Sequence, residues 1–298
     1  MTAGGEGPRE AGPVRAVRGA GVRQGALGLA LVLPPLLVLA FLVALPAVTA
    51  VIETLTPAGG GGPTFANYAR VLAVRTLRAD IVFTVGITLV SVAVVFALSY
   101  PLALYLRFSR GRAARVLGVL FVVPLFVPVV IASFAMITFF VNHGLVSTLL
   151  YRAGVRAFPR LVYNGTGIML TQVWVNIPFA VLILGAGLQA IDDALIDGAR
   201  DVGAGPLRTF LSIILPLNAV PTMIALTLLF IGVFGSFTIP YLVGGNAPAM
   251  LGVTMTNYLT QYLQRTEAVT LAVLAFLIAA VVGAVYVASV SRRERGAA

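Results

Sequence analysis

The 298-residue chain has no cysteine and no lysine, a single histidine, a single tryptophan, and only 10% charged residues. Without cysteine there is no disulfide, no thiolate metal site and no thiol catalysis. His143, at the end of an apolar stretch, has none of the companions that a zinc site or a general base needs. The absence of lysine removes the phosphate-binding loop G-x-x-x-x-G-K-[ST], whose lysine reaches the nucleotide phosphates. The chain is therefore expected to be no ATPase of that kind, and it offers no catalytic residue, metal site or cofactor site.

What is present is apolar: 59% of the residues are hydrophobic. A chain this poor in charge takes lipid as its solvent. Uncharged windows lie at 24–52, 81–106, 116–142, 161–191, 209–264 and 268–291. Each holds the roughly 20 apolar residues that a spanning helix needs. The fifth is too long for one helix, and Gly244, Gly245, Asn246, Ala247 and Pro248 break it, leaving a span near 217–243 and an external segment beyond it. Runs such as Ile81 to Leu98 and Leu271 to Val290 show none of the alternating polarity of barrel strands. The expected fold is an all-α integral membrane bundle of six transmembrane helices.

The arginines set the orientation, since basic residues are retained on the cytoplasmic side. With both termini inside, thirteen arginines fall in the tails and in the loops after the second and fourth helices, and seven outside. The formal charge of +10 is divided among separate membrane-edge loops, so nucleic acid is not the expected partner. Residues 1–23 read as a disordered Arg- and Gly-rich cytoplasmic tail, 24–53 as the first transmembrane helix, 64–290 as the core with five more, and 291–298 as a second cytoplasmic tail.

Ion-coupled carriers usually keep an ionisable group inside the bilayer, and the uncharged windows contain none. A transporter without such a relay and without its own nucleotide site must draw energy from a partner. The loop at 190–216 is the place for that partner to bind. Ile191, Leu195, Gly198 and Val202 recur at helical spacing and predict one apolar face of a short surface helix. Asp193, Asp197 and Asp201 form a carboxylate ridge beside it, which Arg200, three residues after Asp197, partly offsets. Gly203 suits the left-handed end of that helix, and Pro206 suits the first turn of the next, which runs into Pro216.

Here the chain resembles the inner-membrane permeases of binding-protein-dependent ABC importers, whose motif is Glu-Ala-Ala, three residues, Gly, nine residues, Ile-x-Leu-Pro. Asp197, Gly198 and Ala199, then Gly203, then Ile213, Leu215 and Pro216 reproduce the spacing. A second register through Asp192, Asp193 and Ala194 places Pro216 too far from its glycine. The departures are Asp197 for Glu and Gly198 for Ala. The latter weakens a helix interior by about 1 kcal/mol.

Flanking segments are similar to the spermidine/putrescine-type permeases: Thr64 to Tyr68, Val123 to Leu125, Asn142 to Leu145, Ile177 to Phe179, and Thr238 to Gly245. The resemblance implies a type I ABC importer permease-like bundle in a bacterial inner membrane. It implies cytoplasmic ABC ATPase subunits, which hold ATP and Mg, docked on Asp193, Asp197 to Asp201, Gly203 and the Ile213 to Pro216 stretch. It also implies a second, homologous permease subunit and an extracytoplasmic binding protein that delivers a small solute. A polyamine is the favoured solute; ferric iron, thiamine and phosphonates pass through related permeases, and a secondary carrier is the competing class. Thr88, Ser91, Ser99, Gln172, Asn176, Thr227 and Ser236, polar residues within spans, are the candidate path, with hydrogen bonding between helices as their alternative role. Trp174 and Pro178 read as packing and a kink.

Overall fold

The computed structural model describes residues 17–56, 62–155 and 159–297, with side chains described between 28 and 289. The chain divides into two compact units between Glu53 and Thr54. Helix α1 (Val17–Leu55) accounts for the described part of the first. Within its segment Gly28–Leu55 the most apolar 18 residues have a mean hydropathy of 2.6, and Pro34, Pro35 and Pro46 lie inside the helix, a placement that spanning helices accommodate. The helix begins inside the stretch expected to be tail; residues 1–16 of that stretch lie outside the described residues. At the other end, the last helix continues to Ala297 through the segment expected as a tail.

The second unit is helical throughout its described secondary structure. In order it contains α2 (Ala66–Ala73), α3 (Arg75–Phe108), α4 (Arg112–Leu120), a 3-10 turn (Val123–Phe126), α5 (Val129–Phe140), α6 (Leu145–Arg152) and α7 (Gly165–Gln189). Then follow α8 (Asp193–Asp201), α9 (Pro206–Thr209), a π-helical turn (Phe210–Ile214), α10 (Leu215–Leu217), α11 (Ala219–Phe234), α12 (Thr238–Val243), α13 (Leu251–Thr260) and α14 (Arg265–Ala297).

The most extensive packing is α3 along α7, with α11 laid against both. Thr84, Thr88, Ser91, Val95, Ser99 and Ala103 are all buried on α3, and steps of three and four place them on one face. Small side chains let neighbouring backbones approach closely. In lipid such van der Waals contact, not the hydrophobic effect, draws helices together. Val92, Val95, Val173, Ala180, Leu229 and Val233 form one part of the core. Tyr100, Leu184, Leu188, Ile191, Ile196 and Ile214 form another, at the end where α3 and α7 meet the loop at 190–216.

Among the described residues five helices are long and apolar enough to cross a membrane, or six if the bent pair Pro206–Leu217 and Ala219–Phe234 counts as one span. Two expected spans differ in outline. The window 116–142 is broken: α4 stops at Leu120 and α5 starts at Val129. Pro124 and Pro128 lie between them, and each removes an amide donor and disfavours helix at the residue before it. The span-length segment there is Val129–Arg152. Likewise 217–243 is not one helix. The helix ends at Phe234, and α12 begins afresh at Thr238 after a short non-helical link. Uncharged windows record composition and are blind to such backbone breaks.

Candidate functional site

The loop after α7 folds as helix, turn, helix. Asp192 caps α8, its carboxylate accepting the amide of Ala194 at 2.9 Å. At the far end Gly203 has φ 79°, the left-handed conformation its sequence position predicts. The Gly203 amide donates to the carbonyl of Arg200, and the Ala204 amide to that of Ala199, both at 2.9 Å. This is the paired closure of a Schellman motif, which satisfies two helix-end carbonyls. Pro206 then opens α9 at its first turn, where a missing amide costs nothing.

The buried face of α8 is not the expected one. Leu195 and Val202 are exposed, Val202 at 84%, while Ile196 is buried at 4%. Ile196 packs with Ile191, Leu188 and Ile214. A nine-residue helix has little more than two turns, so its partner selects the face. Within the Ile213 to Pro216 stretch the deeply buried residue is Ile214, with Ile213 and Leu215 half-buried and Pro216 exposed. Leu195, Val202, Leu207 and Leu211 thus remain as exposed apolar side chains of the hairpin.

The acidic residues have separate tasks. Asp197 pairs with Arg200 at 3.0 Å, both side chains about two-thirds exposed, a pairing worth only a few tenths of a kcal/mol. Asp201, at the helix end, and Gly198 are exposed, and Ala199 is half-buried. Asp193 binds Arg107. From the end of α3, Arg107 also donates through Nε to the carbonyl of Leu188 at 3.2 Å and through Nη2 to that of Ile191 at 3.3 Å. One guanidinium thus ties the last turn of α7 to the first residue of α8. Counting arginines for topology gave no sign of this role.

Behind the hairpin the chain turns by 69° between the segments Pro206–Leu217 and Ala219–Phe234. Asn218 occupies the bend, fully buried. Its Nδ2 donates to the hydroxyl of Tyr100 at 3.3 Å and to the carbonyl of Leu184 at 3.5 Å. Tyr100 in turn meets the ring of Phe210 edge-on, with centroids 5.8 Å apart. Gly187 permits this approach, because a β-carbon there would run into Asn218 and Pro221.

The polar residues of the spans divide into two sets. Thr88, Ser91, Ser99 and Gln172 are 0–2% exposed. Their Oγ1, Oγ, Oγ and Nε2 atoms make no hydrogen bond among the described residues. Asn176, Thr227 and Ser236 are half-buried, and Asn176 donates to the carbonyl and side-chain oxygen of Gln172 at 2.8 and 3.0 Å.

At the opposite end of α3, Asp80 escaped the sequence reading because it lies just outside the uncharged window. Its carboxylate accepts the Ala249 amide at 2.9 Å and the Thr254 hydroxyl at 2.8 Å. The Thr84 hydroxyl accepts the Leu251 amide at 2.9 Å. Two side chains of α3 thus cap α13, whose own cap residue Met250 supplies no side-chain bond. Burial, then the neighbouring Tyr262, Glu267 and Asp80, push the Tyr258 phenol above its ordinary range.

Helices of span length joined to a capped, acid-bearing helical hairpin define a polytopic membrane protein. Residues 99–296 match the family described as binding-protein-dependent transport system inner membrane component, and the chain belongs to that family, the permeases of ABC importers. Its relatives include the spermidine/putrescine transport system permease protein PotB of Escherichia coli (strain K12), 26% identical over 190 residues, covering 63% of this chain and 69% of that one. The sulfoquinovosyl glycerol transport system permease protein SmoG of Agrobacterium fabrum is 31% identical over 221 residues, 71% of each chain. The fold is that of a bacterial ABC transporter involved in the import of the acidic polysaccharide alginate, with TM-score 0.74 at 17% identity over 92% of this chain and 98% of that one. The chain is therefore a permease subunit and not an enzyme, and it resides in the bacterial inner membrane.

Proposed function

We propose that this permease carries a polyamine, delivered by an extracytoplasmic binding protein, and that ATPase subunits drive it by docking on the hairpin at 190–216. In this reading both termini and the hairpin lie in the cytoplasm, a second homologous permease completes the path, and ATP and Mg reside on the ATPase subunits. The observation that carries it is the hairpin itself: a Schellman-closed helix and a proline-started second one, rigidly tied to α3 and α7 and exposing Leu195, Val202 and Leu207 beside Asp197 and Asp201. An apolar strip rimmed by charge suits a protein partner.

A path shared between two permeases must lie on the surface of each. Asn176, Thr227 and Ser236, which reach the surface of the chain, are assigned to it, and Thr88, Ser91, Ser99 and Gln172 to internal packing. The polyamine assignment rests on the flanking motifs and on the likeness to PotB. The greater identity to SmoG favours sulfoquinovosyl glycerol as the second reading.

Asp197→Lys and Gly203→Val are expected to abolish ATP-driven uptake and ATPase association in proteoliposomes while leaving membrane insertion intact. Wild-type uptake in either variant overturns the docking assignment. Uptake that survives ATP depletion and collapses with the proton gradient would make the protein a secondary carrier. Uptake of sulfoquinovosyl glycerol but not spermidine would replace the substrate.

A further inference from the structure

At the end of the spans that bears the hairpin, a cavity of about 420 Å³ opens between the last turns of α3, helix α4 and the last turns of α7. One part of its lining is basic: Arg107, Arg110 and Arg115. The other part is apolar, with Leu106, Val181 and Leu182 among its residues. Arg107 is committed to Asp193 and two carbonyls. Arg110 and Arg115 are exposed and form no ion pair among the described residues. The chain thus presents uncompensated positive charge at the mouth of an apolar recess.

Helix α4 repeats this polarity along its length. It opens on Arg112 and Arg115 and closes on Val116, Leu117, Val119 and Leu120, which are 38–67% exposed. A free apolar ridge of this kind is unfavourable in water and comfortable in lipid. Guanidinium at one end and bare hydrocarbon at the other is the complement of a phospholipid, with phosphate above and acyl chain below. A soluble anion would use only the first half.

We infer that the α3–α4–α7 recess binds an anionic phospholipid, its phosphate between Arg110 and Arg115 and one acyl chain along Leu106 and Leu182. Basic recesses between spanning helices take lipid headgroups by such contacts, each arginine near the surface contributing a roughly fivefold gain in affinity. Arg107 gives the site a consequence, since it lines the recess and also holds the root of the hairpin. A lipid phosphate seated there bears on the charge that positions α8.

The test uses the purified full-length chain in mild detergent, with native mass spectrometry read during titration by phosphatidylglycerol or phosphatidylcholine. Phosphatidylglycerol is expected to bind at least tenfold more tightly. The double variant Arg110→Gln/Arg115→Gln is expected to lose roughly thirtyfold in its affinity, with elution and helical circular dichroism unchanged because both positions are exposed. Gly185→Leu blocks the apolar half without touching charge, since a β-carbon at Gly185 meets nothing within 4 Å; it too is expected to lose the lipid. Inorganic phosphate at millimolar concentration is expected to displace nothing. Equal affinity for the two lipids, unchanged binding in the folded double variant, or displacement by phosphate alone would each overturn the assignment. Lipid binding is read on the chain alone, so its outcome is independent of substrate and ATPase docking.

Discussion

Arg107 and Asp193 are 86 residues apart in the chain and joined in space, and the same guanidinium holds the carbonyls of Leu188 and Ile191. The end of α3, the end of α7 and the start of α8 are therefore joined at one side chain.

Arg107→Gln breaks this junction. Hydrogen bonds from a charged donor are worth about 1.5–3 kcal/mol each. Allowing for a side chain 19% exposed, we expect a local loss of about 2 kcal/mol. Amides of α8 are then expected to exchange with solvent about thirtyfold faster, with ATP-driven uptake reduced in parallel. Arg107→Lys is expected to rescue little, because an ammonium cannot fork across three acceptors.

Gly187→Ala forces a methyl group into Asn218 and into Pro221, whose Cβ lies 2.6 Å from the added carbon. Overpacking of this kind costs about 1–3 kcal/mol. A lower thermal midpoint of the purified chain is the expected result. Adding Asn218→Ala is expected to restore only part of it, since Pro221 still obstructs the site.

Gly198→Ala moves the hairpin toward the family motif. Nothing lies within 4 Å of the added carbon, so the change acts through helix propensity alone and stabilises α8 by up to about 1 kcal/mol. Exchange of the α8 amides is expected to slow about fivefold, with uptake equal to or above that of the wild type.

Asp80→Ala leaves the Ala249 amide and the Thr254 hydroxyl without their acceptor. At about 1.5–3 kcal/mol per charge-assisted bond, the start of α13 is expected to loosen. Limited proteolysis should then cut between residues 244 and 254 faster than in the wild type. Asp80→Asn keeps an acceptor for the amide and is expected to recover part of the protection.

The caps of the hairpin were legible in the sequence because they are local. A glycine needing positive φ and a proline suited to a first turn act within a few bonds of themselves, and Gly203 and Pro206 behave as their positions predict. The buried face of α8 was not legible. Its periodicity pointed to Leu195 and Val202, whereas Ile196 is the residue that meets Ile214. A contact between residues eighteen positions apart is set by how the second helix returns.

Composition by itself determined that this is a helical membrane protein, because a chain with so few charges can satisfy its backbone in lipid only by internal hydrogen bonds. Motif spacing determined its kinship. Tertiary structure alone decided that Arg107 is a tie and not merely a topological charge, that Asp80 holds the amide of Ala249, 169 residues away, at the start of α13, and that Thr88, Ser91 and Ser99 face inward. Each of these depends on which group stands opposite, and close packing of distant segments settles that, whatever the local sequence prefers.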